Sequence, residues 1–267
     1  VVELAKITRV NAGKERSVRN GYKNPPHEGS FVLGNISFIL DDHCWIESVP
    51  NEKDMQRIEA EIREAKKQAD VVLVSLHAHE CDGDDTTIPA QFIETFSRRC
   101  IDAGCSVMIG HGPHEVRGIE LYHGGVIFYS LGNFIFETET VEYQPYDAYA
   151  NRGVSLDTEV GDYMDDRSKN GTCGYGTLPE IWEAVMASWC IEDGVVKEVK
   201  LYPISLGFGT RRSQLGLPVL SADEDFLHRL EKLSNAYGTE FKIENGVASV
   251  VLSGFWYITD RNVIIVN

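Results

Sequence analysis

The sequence predicts an α/β protein organised around a parallel β-sheet. Two apolar runs, residues 71–76 and 107–109, are typical of strands that are buried on both faces. A segment with helical spacing of its apolar residues precedes each run, and alternating helices and strands favour parallel pairing through right-handed crossovers. We therefore expect the two strands to lie side by side, with their carboxyl ends at the same edge of the sheet.

The helices before these strands are predicted from the spacing of their apolar residues. Over residues 52–68 the apolar side chains recur at helical spacing, and Asn51 stands where a helix N-cap is expected. Residues 90–103 show the same spacing and are followed by Gly104, a residue type common at helix carboxyl ends. Each helix leads directly into one of the two strands.

The rest of the chain is predicted to form hairpins, a carboxyl-terminal helix and one insertion. Residues 31–40 contain an irregular strand, and residues 137–180, which are poor in apolar side chains, are expected to form a surface insertion or lid. The other predicted elements, in order, are a hairpin of residues 119–122 and 126–130, a hairpin of residues 184–192 and 195–204, a helix over residues 222–237, and strands near residues 241–243 and 247–252. We predict a single domain over residues 1–267.

The composition narrows the classes of partner. The 267 residues are 43% hydrophobic, which is enough to bury a substantial core, and they carry a formal net charge of -16. Nucleic-acid backbones and anionic membrane surfaces repel such a charge, so neither is expected as the main partner. The six cysteines show no Cys-x-x-Cys spacing and are interpreted as free thiols in a reducing compartment. No run approaches the ~20 apolar residues of a membrane helix, and a cytoplasmic location is expected.

Histidines follow both predicted strands at the point where each strand ends. His77 and His79 follow the first strand, and His111 and His114 follow the second around a Gly-Pro pair. Open α/β sheets bind their ligands at the carboxyl ends of the strands, and neutral imidazole suits Zn, Mn, Fe, Ni and Co. The pattern favours a metal site. The alternative is a set of surface loop histidines with no ligand.

Other polar residues near these motifs leave more than one interpretation open. Glu80 could be a general base, a hydrogen-bond partner for the imidazoles, or part of a solvated acidic loop. Arg211, Arg212 and Arg117 could neutralise an anionic substrate or could be ordinary surface arginines. A serine hydrolase is not indicated, because the Gly-x-Ser-x-Gly motif is absent, and neither is a phosphate-binding Gly-rich loop.

Four segments of the chain resemble the CapA family, which is named for a poly-γ-glutamate capsule biosynthesis protein and is related to the calcineurin-like metallophosphoesterases. The segments are residues 71–77 (VVLVSLH), 110–116 (GHGPHEV), 118–122 (GIELY) and 128–136 (FYSLGNFIF). The most specific feature is Gly-His-x-Pro-His followed about fifteen residues later by Tyr-Ser-Leu-Gly-Asn-Phe, on either side of a hairpin. The resemblance is strong over residues 50–137 and weaker beyond.

This resemblance implies a four-layer α/β/β/α metallophosphatase-like sandwich with two divalent metal ions, Mn, Zn or Fe, between the sheets. His77, His111 and His114 match the family's metal-ligand positions. His79 and Glu80 stand where many relatives have Trp-Gly, so we place them near the substrate as candidate catalytic residues. Asn133 lies in the family signature and, with Arg211, is a candidate substrate-binding residue; a purely structural turn is the alternative for Asn133.

The superfamily builds the other half of its metal centre from motifs near the amino terminus. Its Gly-Asp motif is absent from residues 1–76, and the chain starts at Val1 without a methionine. We therefore expect this chain to be the carboxyl-terminal part of a longer protein and to hold at most half of a binuclear site. A missing amino-terminal segment would complete the site.

The function implied by the resemblance is metal-dependent hydrolysis of an amide, peptide or phosphoester bond, related to poly-γ-glutamate or capsule biosynthesis. The substrate would be a small molecule, a peptide or polyglutamate. Two alternatives stay open. One is a metal-dependent peptide epimerase with His79 or Glu80 as its base. The other is a non-catalytic subunit for capsule assembly or binding, because a fold does not determine a function.

Overall fold

The computed structural model describes residues 30–33, 36–39, 46–252, 257–259 and 262–264. The chain divides into two compact units, Val1–Glu47 and Ser48–Asn267. In the first unit, β1 (Ser30–Leu33) and β2 (Ile36–Ile39) pair antiparallel. Both apolar runs of the irregular strand predicted over residues 31–40 form strands, but they pair antiparallel with each other and do not form one continuous strand. The prediction of one domain over the whole chain stays a prediction.

The second unit alternates helices and strands in its first half and is mainly β-structure in its second half. Its elements, in chain order, are α1 (Glu52–Lys66), β3 (Leu73–His77), β4 (Cys81–Asp82), β5 (Asp85–Pro89), α2 (Gln91–Asp102), β6 (Val107–His111), β7 (Ile119–Tyr122), β8 (Gly125–Phe128), α3 (Tyr146–Arg152), α4 (Val160–Ser168), β9 (Glu183–Glu192), β10 (Val195–Ser205), β11 (Val219–Leu220), α5 (Glu224–Asn235), β12 (Phe241–Glu244), β13 (Val247–Val250), β14 (Tyr257–Thr259) and β15 (Asn262–Ile264).

The first sheet has the strand order β3-β6-β8-β7. Strands β3 and β6 are parallel, as are β6 and β8, and β7 returns antiparallel to β8. The predicted parallel pairing of the two apolar strands is therefore confirmed. Helix α1 begins at the predicted N-cap, where the Asn51 side chain accepts hydrogen bonds from the backbone N–H groups of Lys53 and Asp54.

The second sheet is built on the long strand β10. Strand β9 pairs antiparallel with it as the predicted hairpin, β11 and β13 pair with it as well, and β12 pairs with β13. The short bridge between Gly132 and Ala184 connects the chain after β8 to the start of β9. The two sheets are therefore joined near the carboxyl end of the first sheet.

Alternating side chains of the first sheet pack on opposite sides. Met108 and Ile127 face helices α1 and α2 in one apolar cluster, together with Ile93 of α2. Val107 and Phe128 face the second sheet and α5 in another cluster. This period of two places a helical layer on one face and a β layer on the other. The α/β class is confirmed, while the four-layer sandwich stays a prediction.

The insertion over residues 137–180 has a small core of its own. Tyr149 of α3 and Tyr163 and Met164 of α4 are buried together. Arg212 pairs with Asp165 of α4 and so ties the insertion to the loop after β10. The two helices were missed in the sequence because each is less than ten residues long and carries only one or two buried apolar residues.

The described residues give two further facts, about the cysteines and about the helices. Among the described residues the five cysteines are free thiols, and burial raises the pKa of the Cys105 thiol to about 11. None of the helices in the described ranges has the length and apolar content that crossing a lipid bilayer requires.

The packing between the two sheets generates a stability prediction. Leu201 of β10 is 0% exposed in the cluster that joins the sheets, so Leu201→Ala is expected to lower the free energy of unfolding by about 2–5 kcal/mol. Met186 of β9 is 40% exposed, so Met186→Ala should change the free energy of unfolding by less than about 0.5 kcal/mol. Urea unfolding of the two variants measures both values, and equal losses would contradict this packing.

Candidate functional site

His77 and His111 face each other because β3 and β6 are in register. The two residues are directly paired at the carboxyl ends of the parallel strands, so their side chains leave the same face of the sheet. Their ring centroids are 4.8 Å apart, and the two Nδ1 atoms are 2.8 Å apart. The expectation that the two strand ends are neighbours is confirmed, while the metal-binding role of these rings stays a prediction.

Ser75 lies within hydrogen-bond distance of the second ring nitrogen of His111, Nε2. Its Oγ lies 2.8 Å from His111 Nε2. Ser75 stands two residues before His77 on β3 and therefore points to the same side of the strand. Sequence reasoning missed this residue because β3 was expected to be buried on both faces, whereas its residues alternate between exposed and partly buried. Side chains two residues apart in a strand point to the same side, and this rule, applied from His77 back to Ser75, could have identified Ser75.

His79 and His114 extend the pair into a row of four imidazoles. His77 Nε2 lies 3.0 Å from His79 Nε2, and the His79 and His114 ring centroids are 5.6 Å apart. The order along the row is therefore His111, His77, His79, His114. The structure brings together all four histidines that the sequence singled out.

Asn133 determines which nitrogen of His114 carries a proton. The Asn133 Nδ2 group donates to the backbone carbonyls of His114 and Ile181, at 3.1 and 2.9 Å. Since both partners are acceptors, this assigns the amide orientation and leaves Oδ1 as an acceptor, 2.9 Å from His114 Nδ1. The proton of the neutral His114 ring is thus on Nδ1, and Nε2 keeps its lone pair.

Two glycines, one on each side of His111, allow the backbone to pass close to neighbouring carbonyl groups. A side chain at Gly110 would place its Cβ 2.3 Å from the Tyr129 carbonyl oxygen, and one at Gly112, where φ is +129°, would place it 2.7 Å from the Ala78 carbonyl oxygen. His114 itself has φ of 65°, in the left-handed region that costs about 1 kcal/mol or more for a non-glycine residue. The Asn133 contacts hold this conformation.

Arg117 is a positioning residue rather than a substrate-binding one. It is 0% exposed, so the interpretation that its guanidinium meets an anionic substrate was wrong. Its Nε donates to the Thr86 carbonyl at 2.8 Å and its Nη2 to the His79 carbonyl at 3.3 Å. Burial lowers the pKa of this guanidinium. Arg117 therefore fixes the backbone of His79 from below the surface.

The remaining predicted residues, Arg211 and Glu80, are exposed. Arg211 is the N-cap of a short 3-10 helix, Arg212–Gln214. In the described part of the chain its guanidinium has no recorded contact with the four histidines. The Glu80 carbonyl accepts a hydrogen bond from the Ala90 N–H group at 3.4 Å, which places its backbone at the base of the loop after β3. The predicted substrate and catalytic roles of both side chains stay predictions.

An aromatic wall, formed by Phe136, Tyr175 and Trp182, borders the row at His114. The ring centroids of Phe136 and Tyr175 lie 5.4 and 5.9 Å from that of His114. Trp182 is 1% exposed and lies behind Phe136, at a centroid distance of 5.5 Å. Sequence reasoning did not identify this wall, because Tyr175 lies in the insertion, about sixty residues after His114, and no local pattern joins them.

The electrostatics at His111 favour the neutral form of its ring. Burial, and secondarily the charge of a protonated His77, lower the pKa of His111. A neutral imidazole offers a lone pair, which is the form that binds a metal ion or accepts a proton. Within the described ranges, however, no group of three or more His, Cys, Asp or Glu side chains is arranged to hold a metal ion by itself.

A cavity of ≈ 700 Å³ lies at the opposite end of the first sheet. Its lining includes Asp70, shortly before β3, Ser106, directly before β6, and His123, in the turn between β7 and β8. None of the predicted site residues contributes to it. The histidine row lies outside this cavity, at the carboxyl edge, where His77 and His79 are exposed and His111 and His114 are partly buried.

The fold and the row define an α/β protein with a histidine cluster at the carboxyl edge of its parallel sheet. Residues 7–138 match the model of a family described as bacterial capsule synthesis protein PGA_cap. A CapA protein of Bacillus subtilis, named "PGA biosynthesis protein CapA", is 47% identical over 77 residues, which cover 28% of this chain and 19% of that protein. Over these stretches the chain is similar to CapA proteins, whose names refer to capsule and PGA biosynthesis.

Two further relatives extend the comparison. The "Uncharacterized protein y4sH" of Sinorhizobium fredii is 33% identical over 250 residues, which cover 89% of this chain and 54% of that protein. The chain thus spans about half the length of this relative. A "Probable polyglutamine synthesis accessory protein" of Mycobacterium tuberculosis is 31% identical over 98 residues, which cover 36% of this chain and 25% of that protein.

The Asn133 contacts predict the tautomer of His114. In the metal-free protein, ¹⁵N-edited NMR of the ring should show the proton on Nδ1, because Asn133 Oδ1 accepts it. Asn133→Ala removes this acceptor and should shift the ring toward the Nε2-protonated form. Asn151→Ala, at an exposed position of α3, is the control and should leave His114 unchanged. A parent protein with the proton on Nε2 would refute the assignment.

The burial of His111 predicts its titration. In metal-free protein its NMR pH titration should give a pKa below the ordinary 6.5, and His77→Gln should raise it only part of the way, because the burial remains. The unfolded chain then binds this proton more tightly than the folded one, so the stability contributed by His111 is full above pH 6.5 and falls as the pH drops toward the lowered value. Titration of His111 at or above 6.5 would contradict this environment.

Proposed function

We propose that this chain forms part of a metal-dependent hydrolase that cleaves an amide, peptide or phosphoester bond in poly-glutamate or capsule synthesis. The observation that carries the proposal is the convergence of the Nδ1 atoms of His77 and His111, 2.8 Å apart, while their opposite nitrogens contact His79 and Ser75. Metal-binding histidines commonly have the second ring nitrogen held by a protein group in this way.

The donor set fits a transition metal in chemistry and spacing. Two imidazole nitrogens that bind one tetrahedral zinc ion at about 2.0–2.1 Å stand roughly 3.3 Å from each other. A small outward turn of the His77 and His111 rings from their 2.8 Å separation reaches that spacing. His114, with its free Nε2, is the third proposed ligand. Because no three His, Cys, Asp or Glu side chains of the described residues are arranged around one ion in this structure, further ligands and a second ion would depend on other residues or on the substrate.

The roles of the chain's own residues follow from their positions. When bound, the metal ions would polarise the scissile group and lower the pKa of a bound water. His79, which contacts His77 through Nε2, is the first proposed acid–base group, and Glu80, which is exposed, is the second. Asn133 keeps the His114 ring oriented, and Arg211 is proposed to contact the substrate.

A second candidate function is a non-catalytic accessory role in poly-glutamate or capsule synthesis. Two observations favour it. The described residues hold no complete group of three metal ligands, and one relative bears the name of an accessory protein. A protein of this kind would use the same edge of the sheet to bind its partner without turnover.

The experiment is a zinc titration of the full chain combined with a test of turnover. His77→Ala and His111→Ala should each weaken zinc binding at least about tenfold, because either change removes one of the two convergent nitrogens. His123→Ala is the matched control, since His123 is exposed in the β7–β8 turn and pairs with Asp102. Unchanged zinc affinity in both site variants would refute the metal site.

The same preparations separate the candidate functions. A hydrolase turns over bis(p-nitrophenyl) phosphate or a γ-glutamyl amide only with metal, and loses this activity in His77→Ala and His111→Ala. Deuterium uptake at Cα of a peptide without cleavage would instead indicate an epimerase. Zinc binding without either reaction, in the full-length protein, would favour the accessory role.

A further inference from the structure

The insertion brings one side chain to the histidine row. Tyr175 is the first residue of a one-turn 3-10 helix, Tyr175–Thr177. Its ring contacts both His114 and Phe136, at centroid distances of 5.9 and 5.3 Å. The sharp return of the chain before it uses left-handed backbone at Gly171 and Gly174, with φ of 77° and 79°, which glycine adopts at little cost.

The backbone of Tyr175 is anchored while its ring is accessible. Trp182, which is 1% exposed, donates from Nε1 to the Tyr175 carbonyl at 2.8 Å. Phe136, the other neighbour of the ring, is itself held by a hydrogen bond from its N–H to the Gly216 carbonyl at 2.9 Å. The Tyr175 residue nevertheless keeps 36% of its surface exposed. An accessible ring on an anchored backbone is preorganised to contact a ligand.

We propose that Tyr175 is a specificity-determining residue of the histidine site, against whose ring a planar or methylene-rich uncharged part of the substrate packs. The proposal rests on the proposed function, in which the substrate binds at the row beside His114. Aromatic faces favour planar and apolar groups in offset or edge-on contact, and such contacts contribute about 0.5–1.5 kcal/mol. The insertion then selects the substrate without supplying a ligand to the metal.

The test uses the full chain and the probe L-γ-glutamyl-p-nitroanilide, whose nitrophenyl ring is planar and uncharged. Saturation-transfer NMR titration gives its Kd. Tyr175→Ala should raise that Kd about two- to twelvefold, and Tyr175→Phe should keep it, because the ring rather than the hydroxyl makes the contacts. Where the parent protein hydrolyses the probe, Tyr175→Ala should raise KM and leave kcat within about twofold.

Two controls make the result specific. Tyr143→Ala removes another tyrosine of the insertion, 84% exposed, and should leave the Kd unchanged. Zinc affinity should be unchanged in Tyr175→Ala, because Tyr175 is not a ligand. Equal Kd values in parent and Tyr175→Ala, an equal loss in Tyr143→Ala, or no binding of the probe by the parent protein would each overturn the proposal. If binding of the probe depends on Tyr175 while zinc affinity is unchanged in His77→Ala and His111→Ala, the metal site is refuted and the Tyr175 proposal is not.

Discussion

The parallel register between β3 and β6 is the constraint on which the site depends. It pairs His77 with His111, and a slip of one residue would turn every side chain of one strand to the opposite face. The hydrogen bond from the Ala78 N–H group to the His111 carbonyl, at 2.9 Å, continues this pairing past the last strand residue. The packing of Val107 and Met108 on opposite faces of β6 resists such a slip, so the apolar core holds the polar edge in place.

The sequence predicted the elements whose signals are local and strong. The apolar runs of β3 and β6, the N-cap at Asn51 and the β9–β10 hairpin are all recognisable from adjacent residues. The contacts that complete the site could not be predicted, because they join distant segments. Asn133 reaches the Ile181 carbonyl, and the wall around His114 includes Tyr175 from the insertion. Such contacts depend on how two sheets and an insertion pack, and no periodicity within one segment reports them.

The burial of individual residues also changed their interpretation. Arg117 has the side chain expected of an anion-binding residue, but it lies wholly inside the protein and donates to backbone carbonyls. Ser75 was expected in a fully buried strand, yet it is exposed at the sheet edge and contacts His111. For Ser75 the sequence identified the strand correctly, and the position of that strand at the edge of the sheet determined what its side chain does. For Arg117, in the segment between β6 and β7, burial determined the role of the side chain.

Anomalous X-ray diffraction from crystals of the full chain soaked in zinc tests the central claim most directly. The account predicts an anomalous peak between His77 and His111, about 2.0–2.1 Å from each Nδ1 atom, with both rings turned slightly outward. An ordered histidine row without a peak at zinc saturation, or with zinc bound only elsewhere on the protein, would contradict it.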